Sequence, residues 1–212
     1  MDLYLLRHVE SEANVSGILC GQMDAEPSRV GKDQLKSLSK SAASHNRVKI
    51  FDQLIHSPLK RAKLTAEPVF QLADSIHSSE LLMELDTGTY SSSLKKDFVR
   101  DIDSRAETHN LFPDFRYPGG ESLLDLFERA EKFIEESLQK HFMNNSRVLI
   151  VGHHGCMSAI IHKLMGIEVK HFPCIELRNA KICHIQVNSS EGSLENAVCK
   201  IKGLDLSLEQ LV

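Results

Sequence analysis

Three short strand-like runs constrain this chain most, because each one ends in a cluster of polar and cationic residues. Leu3-Tyr4-Leu5-Leu6 starts almost at the first residue and stops at Arg7-His8. Phe51 to Ile55 stops at His56-Ser57-Pro58, with Arg61 just beyond. Val148 to Val151 is β-branched and apolar, and stops at Gly152-His153-His154-Gly155. Short apolar runs between polar flanks fit buried strands. In open α/β sheets, ligands sit beyond the carboxyl ends of the strands. Two arginines, two or three histidines and a helix start can therefore meet at one point. Such a set suits a phosphate group. Guanidinium groups grip its oxygens bidentately, and a helix N-terminus offers backbone N–H donors.

Between the runs, the spacing predicts helices. One covers about Val30 to Ser44. A second covers about Lys60 to Leu72, with Ser57 as N-cap. A third covers about Ser122 to Phe142, where Leu123, Leu126, Phe127, Ala130, Phe133, Ile134 and Leu138 recur at helical spacing and read as core packing. A fourth covers Cys156 to Met165. Val9 to Arg29 reads as a loop, and Leu81 to Leu85 as a short strand. Lys181 to Val187 and Ala197 to Ile201 read as a hairpin whose polar turn holds Gly192. The pattern weakens between residues 86 and 118, with one helix around Leu94 to Arg105. This stretch is read as an excursion over the active-site mouth. Strands alternating with helices imply an α/β fold: a three-layer αβα arrangement around a mostly parallel sheet, with one antiparallel strand from the hairpin. A length of 212 residues suits a single domain, taken as 1–212.

Charge and cysteine usage narrow the partners. The net charge of −4 argues against nucleic acid as a general partner, yet a local Arg and His cluster can still attract an anion. Cys20, Cys156, Cys174, Cys183 and Cys199 include no CxxC pair, which favours reduced thiols in a cytoplasmic setting. Cys156, opening a helix, is read as a small buried residue rather than an activated thiol. No apolar stretch approaches the roughly 18 residues of a membrane span, and the first apolar run leaves no room for a signal peptide. His56, His162, His171 and His184 show no ligand spacing, so no metal and no cofactor is expected. The sequence leaves the oligomeric state open.

Leu5-Leu6-Arg7-His8-Val9-Glu10-Ser11-Glu12-Ala13-Asn14 resembles the RHGE(S/T)xxN signature of the histidine phosphatase superfamily, also called the phosphoglycerate mutase-like family. Gly21-Gln22-Met23-Asp24 resembles its GxxD step. His56 to Glu67 resembles its SSPLxRAxxTAE block, Leu82 to Asp86 its LxExD segment, Gly119-Gly120-Glu121-Ser122 its GGES helix start, and Val151 to Gly155 its VxHGG turn. These blocks follow the family order over roughly residues 3 to 165.

The resemblance implies roles. His8 is the nucleophile that accepts the phosphoryl group, and Arg7 and Arg61 bind its oxygens. His153 donates to those oxygens. Glu84 is the general acid for the leaving oxygen and then the base for water. Asn14, Gly21, Gln22 and His154 are implied to line or contact the substrate. The implied activity is hydrolysis of a small-molecule phosphate ester through a phosphohistidine, without a metal and with an acidic to neutral pH optimum. Two further readings stand beside it: a phosphoglycerate mutase, and an inactive module that binds a phosphorylated ligand. Mutases typically carry an ERHYG-like segment where this chain has Glu84-Leu85-Asp86-Thr87-Gly88, and inactive members commonly lose the nucleophile or a pocket arginine. Three departures stand out. Val9 and His154 replace the usual glycines, adding bulk near the pocket, and the W-E-G ending after Glu84 is missing.

Overall fold

The strand that opens the chain, β1 (Asp2–Arg7), is apolar on both faces. Alternation along it sends Leu3 and Leu5 into one buried cluster and Tyr4 and Leu6 into another. A strand apolar on both faces must be covered on both, which sets the layering. The structure is a computed structural model and describes residues 1–45, 48–98, 114–189, 193 and 197–211.

Five further strands complete the sheet: β2 (Phe51–His56), β3 (Ala73–Ser78), β4 (Arg147–Gly152), β5 (Ile182–Ser189) and β6 (Ala197–Leu206). Their spatial order is β3-β2-β4-β1-β5-β6. β1 pairs parallel with β4, and β2 pairs parallel with β4 and β3. β5 runs antiparallel to both β1 and β6 and is the opposed strand expected of the hairpin. The helices are α1 (Glu12–Val15), α2 (Arg29–Ser44), α3 (Lys60–Ala66), α4 (Leu123–Phe133) and α5 (His154–Met165). α4 and α5 cover one face, where Leu126, Phe133, Ile160 and Ile161 meet Leu3, Leu5, Val148 and Ile150. α2 and the end of α3 cover the other, where Leu38, Ala42 and Ala66 meet Leu6, Leu54, Leu149 and Val151. Each wholly buried Leu or Ile here contributes about 1.5–3 kcal/mol over an exposed one. The fold is therefore α/β in three layers.

Register fixes where chemistry can occur. Arg7 lies opposite Gly152, and His56 opposite Val151. The carboxyl ends of β1, β2 and β4 are thus level, and Arg7-His8, His56-Ser57 and Gly152-His153 emerge side by side.

Several elements differ from the sequence reading. Leu81 to Leu85 is not a strand. It holds a 3-10 turn over Glu80–Leu82 and then irregular chain. The carbonyls of Leu81, Met83 and Glu84 accept hydrogen bonds from the Arg129 guanidinium rather than from a neighbouring strand. One edge of the sheet is β3, whose polar, largely exposed residues carry no apolar signature. The helix from Lys60 tightens into a 3-10 turn over Glu67–Leu72, where Pro68 lacks an N–H to continue the α pattern. Its N-cap is Leu59, not Ser57; the Ser57 hydroxyl instead accepts from the Leu59 N–H at 3.3 Å. The helix read from Ser122 is capped by Ser122 in a reciprocal box with Asp125, and continues past Phe133 as a π turn and a 3-10 turn to His141. Residues 95–98 are helical, and the rest of the helix expected to reach Arg105 lies outside the described residues, as does the turn with Gly192.

Candidate active site

The site is built on the step from β1 into its loop. The His8 N–H donates to the Gly152 carbonyl at 2.9 Å, and the Asn179 amide donates to the His8 carbonyl at 2.8 Å, so its backbone is held on both sides. The ring is 3% exposed. Its Nδ1 lies 2.7 Å from the Val9 carbonyl. A carbonyl can only accept, so Nδ1 carries the proton and Nε2 keeps its lone pair. Burial, and then the Arg61 charge, pull the His8 pKa down to about 3. The ring is neutral over the whole physiological range. Val9, in place of a glycine, does not narrow the pocket: its side chain is wholly buried in the core, and its N–H donates to Thr65 Oγ1 at 3.0 Å.

Arg61 comes from the first turn of α3 and is 2% exposed. Its Nη1 donates to the Met23 carbonyl at 2.7 Å and its Nη2 to the Gly21 carbonyl at 2.8 Å. The loop with Gly21 therefore serves as an anchor that aims the guanidinium. Gly21 has φ +49, and a side chain there would collide with Thr87. Arg7 ends β1; its Nη1 donates to the Leu177 carbonyl at 2.6 Å, and its buried Nε has no partner among the described residues. Burial lowers its pKa, opposed mainly by the nearby Glu84 carboxylate.

His153 is wholly buried, with its ring centroid 5.2 Å from that of His8. Its Nε2 lies 2.8 Å from Ser57 Oγ, while Nδ1 is buried and has no partner among the described residues. Burial and Arg61 hold its pKa well below the usual value, so this ring too is neutral.

Glu84 sits at the start of α5. Its carboxylate accepts from the N–H groups of Gly155 and Cys156, each at 3.1 Å, and of Leu85 at 3.0 Å. Gly155 makes this approach possible, since an added methyl would strike a Glu84 oxygen. Behind Glu84, all five Arg129 donors are used. Nε and Nη2 grip Glu121 at 2.9 and 2.8 Å, Nη1 reaches the Leu81 and Met83 carbonyls, and Nη2 also reaches the Glu84 carbonyl. Glu121 in turn accepts from the Asp86 N–H at 2.9 Å.

Arg7, His8, Asn14, Arg61, Glu84 and His154 all line one cavity of about 370 Å³, and Gly21 lies on its wall. Asn14 Oδ1 is taken up by the Ser11 N–H, the Ser11 hydroxyl and Asn179, which leaves its Nδ2 as the free donor among the described residues. Gln22 does not line the cavity; its amide donates to the Glu84 carbonyl at 3.0 Å. Burial, and then Arg7, lower the His154 pKa. Cys156 is buried, and burial pushes its thiol up to about 12. Among the described residues, no group of three His, Cys, Asp and Glu is arranged to hold a metal ion, and no helix is long and apolar enough to cross a membrane.

Sequence reasoning missed five supporting residues. Ser57, Thr65 and Glu121 stand inside the quoted blocks, so a signal existed. Arg129 lies on the polar side of a core stripe, and Asn179 lies where the family pattern fades.

One buried and one half-buried guanidinium group, a neutral imidazole and an anchored carboxylate at the carboxyl ends of a mixed αβα sheet define the class: an enzyme of the phosphoric monoester hydrolase type. The chain belongs to branch 1 of the histidine phosphatase superfamily, whose sequence profile matches residues 3–199. It is 31% identical over 179 residues to phosphoserine phosphatase 1 of Hydrogenobacter thermophilus, covering 80% of this chain and 79% of the relative. It is 29% identical to "Probable phosphoglycerate mutase GpmB" of Salmonella choleraesuis, covering 90% and 87%. The fold matches that of a mycobacterial glucosyl-3-phosphoglycerate phosphatase with TM-score 0.79 at 20% identity, covering 97% and 99%. It matches that of the α-ribazole phosphatase of Shigella flexneri with TM-score 0.77 at 23% identity, covering 97% and 96%.

Proposed function

We propose that this chain is a metal-independent phosphomonoesterase that works through a phosphohistidine at His8. One observation carries the reading: the Val9 carbonyl holds the Nδ1 proton of a neutral His8 ring in the same cavity as Arg7, Arg61 and Glu84. In the first step Nε2 attacks phosphorus and the bond from phosphorus to the alcohol oxygen breaks. A proton from the Glu84 carboxyl goes to the departing oxygen. In the second step water attacks the phosphoryl group, Glu84 takes its proton, and the P–N bond electrons return to Nε2. Arg7 and Arg61 balance the oxygens' charge throughout, which is the main demand of phosphoryl transfer. The Nδ2 of Asn14 adds a donor, and His154 lines the wall.

Phosphate release from p-nitrophenyl phosphate at pH 5 to 7 tests this, with a chelator present. The expected result is turnover in the intact chain that the chelator does not touch and that His8→Ala abolishes. Turnover surviving in His8→Ala would end the proposal, and total inactivity of the intact chain would favour a binding module. A second reading, mutase chemistry, is favoured by the relative named as a phosphoglycerate mutase. A mutase returns its phosphoryl group to product, so comparing mutase turnover with phosphate release separates the two.

A further inference from the structure

The cavity carries two charges that this chemistry leaves unused. Lys95 and Glu176 both line it, alongside Tyr117 and Phe172. Lys95 is placed by its own N–H, which donates to the Gly17 carbonyl at 2.9 Å. Glu176 precedes Leu177, whose carbonyl receives Arg7, and Asn179, whose amide braces His8. The segment that carries Glu176 is therefore tied to the phosphate-binding residues.

Both side chains are exposed, and neither makes an ion pair or hydrogen bond among the described residues. Both act on the His154 ring, together with Arg7 and Glu84, and Glu176 also acts on Arg7. Opposite charges thus share the volume in which the alcohol part of a substrate must sit. A carboxylate there disfavours an alcohol that is purely anionic, because it brings like charges together in one cavity. The same carboxylate favours an alcohol that bears an ammonium group. Lys95 offers a site for an anion. The volume of about 370 Å³ lies at the small end of ligand sites.

We propose that the substrate is the phosphate ester of a small zwitterionic amino alcohol, with Glu176 facing its ammonium group and Lys95 its carboxylate. The inference rests on the phosphatase reading above and adds the substrate class.

A matched set of esters tests it. O-phosphoserine and 3-phosphoglycerate share a carbon skeleton and differ in carrying an ammonium or a hydroxyl. Phosphoethanolamine carries the ammonium without the carboxylate, and p-nitrophenyl phosphate carries neither. The measurement is kcat/KM for all four esters with the intact chain, Glu176→Gln and Lys95→Gln. The expected preference for O-phosphoserine over 3-phosphoglycerate is about tenfold or more, and Glu176→Gln cuts it by about fivefold. Lys95→Gln lowers O-phosphoserine relative to phosphoethanolamine. Melting curves confirm that both exposed substitutions leave the fold intact. Equal rates on the matched pair, or a preference that Glu176→Gln leaves unmoved, would overturn the substrate class while p-nitrophenyl phosphate hydrolysis still upheld the phosphatase reading. Release of phosphate from none of the four would take down both.

Discussion

His8 is prepared for attack by the atom behind its ring. The Val9 carbonyl fixes the tautomer, and burial beside Arg61 keeps the ring neutral. Asn14 shows the same economy. Its oxygen is taken up by Ser11 and Asn179, so among the described residues its nitrogen is left for a ligand. Asn14→Asp retains the oxygen that receives Ser11 and loses the free N–H. The expected result is a fall of about 10–100-fold in kcat/KM on p-nitrophenyl phosphate, with the melting temperature little changed; steady-state kinetics and a melting curve check it. The residues on this inner surface were legible in sequence because Arg7, His8, Asn14, Arg61 and Glu84 sit in short blocks with fixed spacing. Asn179 was not. It acts on a carbonyl 171 positions away, and no local pattern marks a side chain that serves distant backbone.

At the scale of elements, the irregular stretch from Leu81 to Asp86 is stiffened from outside. Arg129 on α4 and Glu121 at its start bind both ends of it, and the Glu84 carboxylate caps α5. Arg129→Lys removes most of these bonds and takes from the Met83 carbonyl the donor it has among the described residues. Stability should fall by about 1–3 kcal/mol, read by denaturant unfolding. The turnover number should fall more than KM rises, because misplacing Glu84 affects the step and not the grip. Gly155→Ala is the sharper probe: the atoms nearest its methyl are those of the Glu84 carboxylate. A loss of about 100-fold in kcat with a near-native melting temperature is expected. Strands β1, β2 and β4 were legible as apolar runs. β3 was not, since an edge strand needs no apolar alternation and Asp74, Ser75 and His77 supply none. The apolar run at Leu81 misled for the converse reason: side chains packed on a core look alike whether a strand or an arginine satisfies their backbone.

At the scale of the whole molecule, two buried histidines beyond the strand ends are held neutral, and this ties stability to pH. The His8 pKa in the folded chain is about 3, below the ordinary 6.5. As pH falls through 6.5 the unfolded chain takes up a proton that the folded chain refuses. Stability should therefore drop by about 1.4 kcal/mol per pH unit for this residue, levelling near pH 3. His153 adds the same sign. Melting temperatures should fall from pH 7 to pH 5, and His8→Asn should flatten that fall. The central claim concerns a covalent bond, and trapping that bond tests it most directly. The enzyme is quenched during turnover, digested at alkaline pH and mapped by mass spectrometry. The expected result is a phosphoryl group on His8 that disappears in His8→Ala. Steady turnover with no phosphoryl group on the chain, or with the group on another residue, would contradict the account.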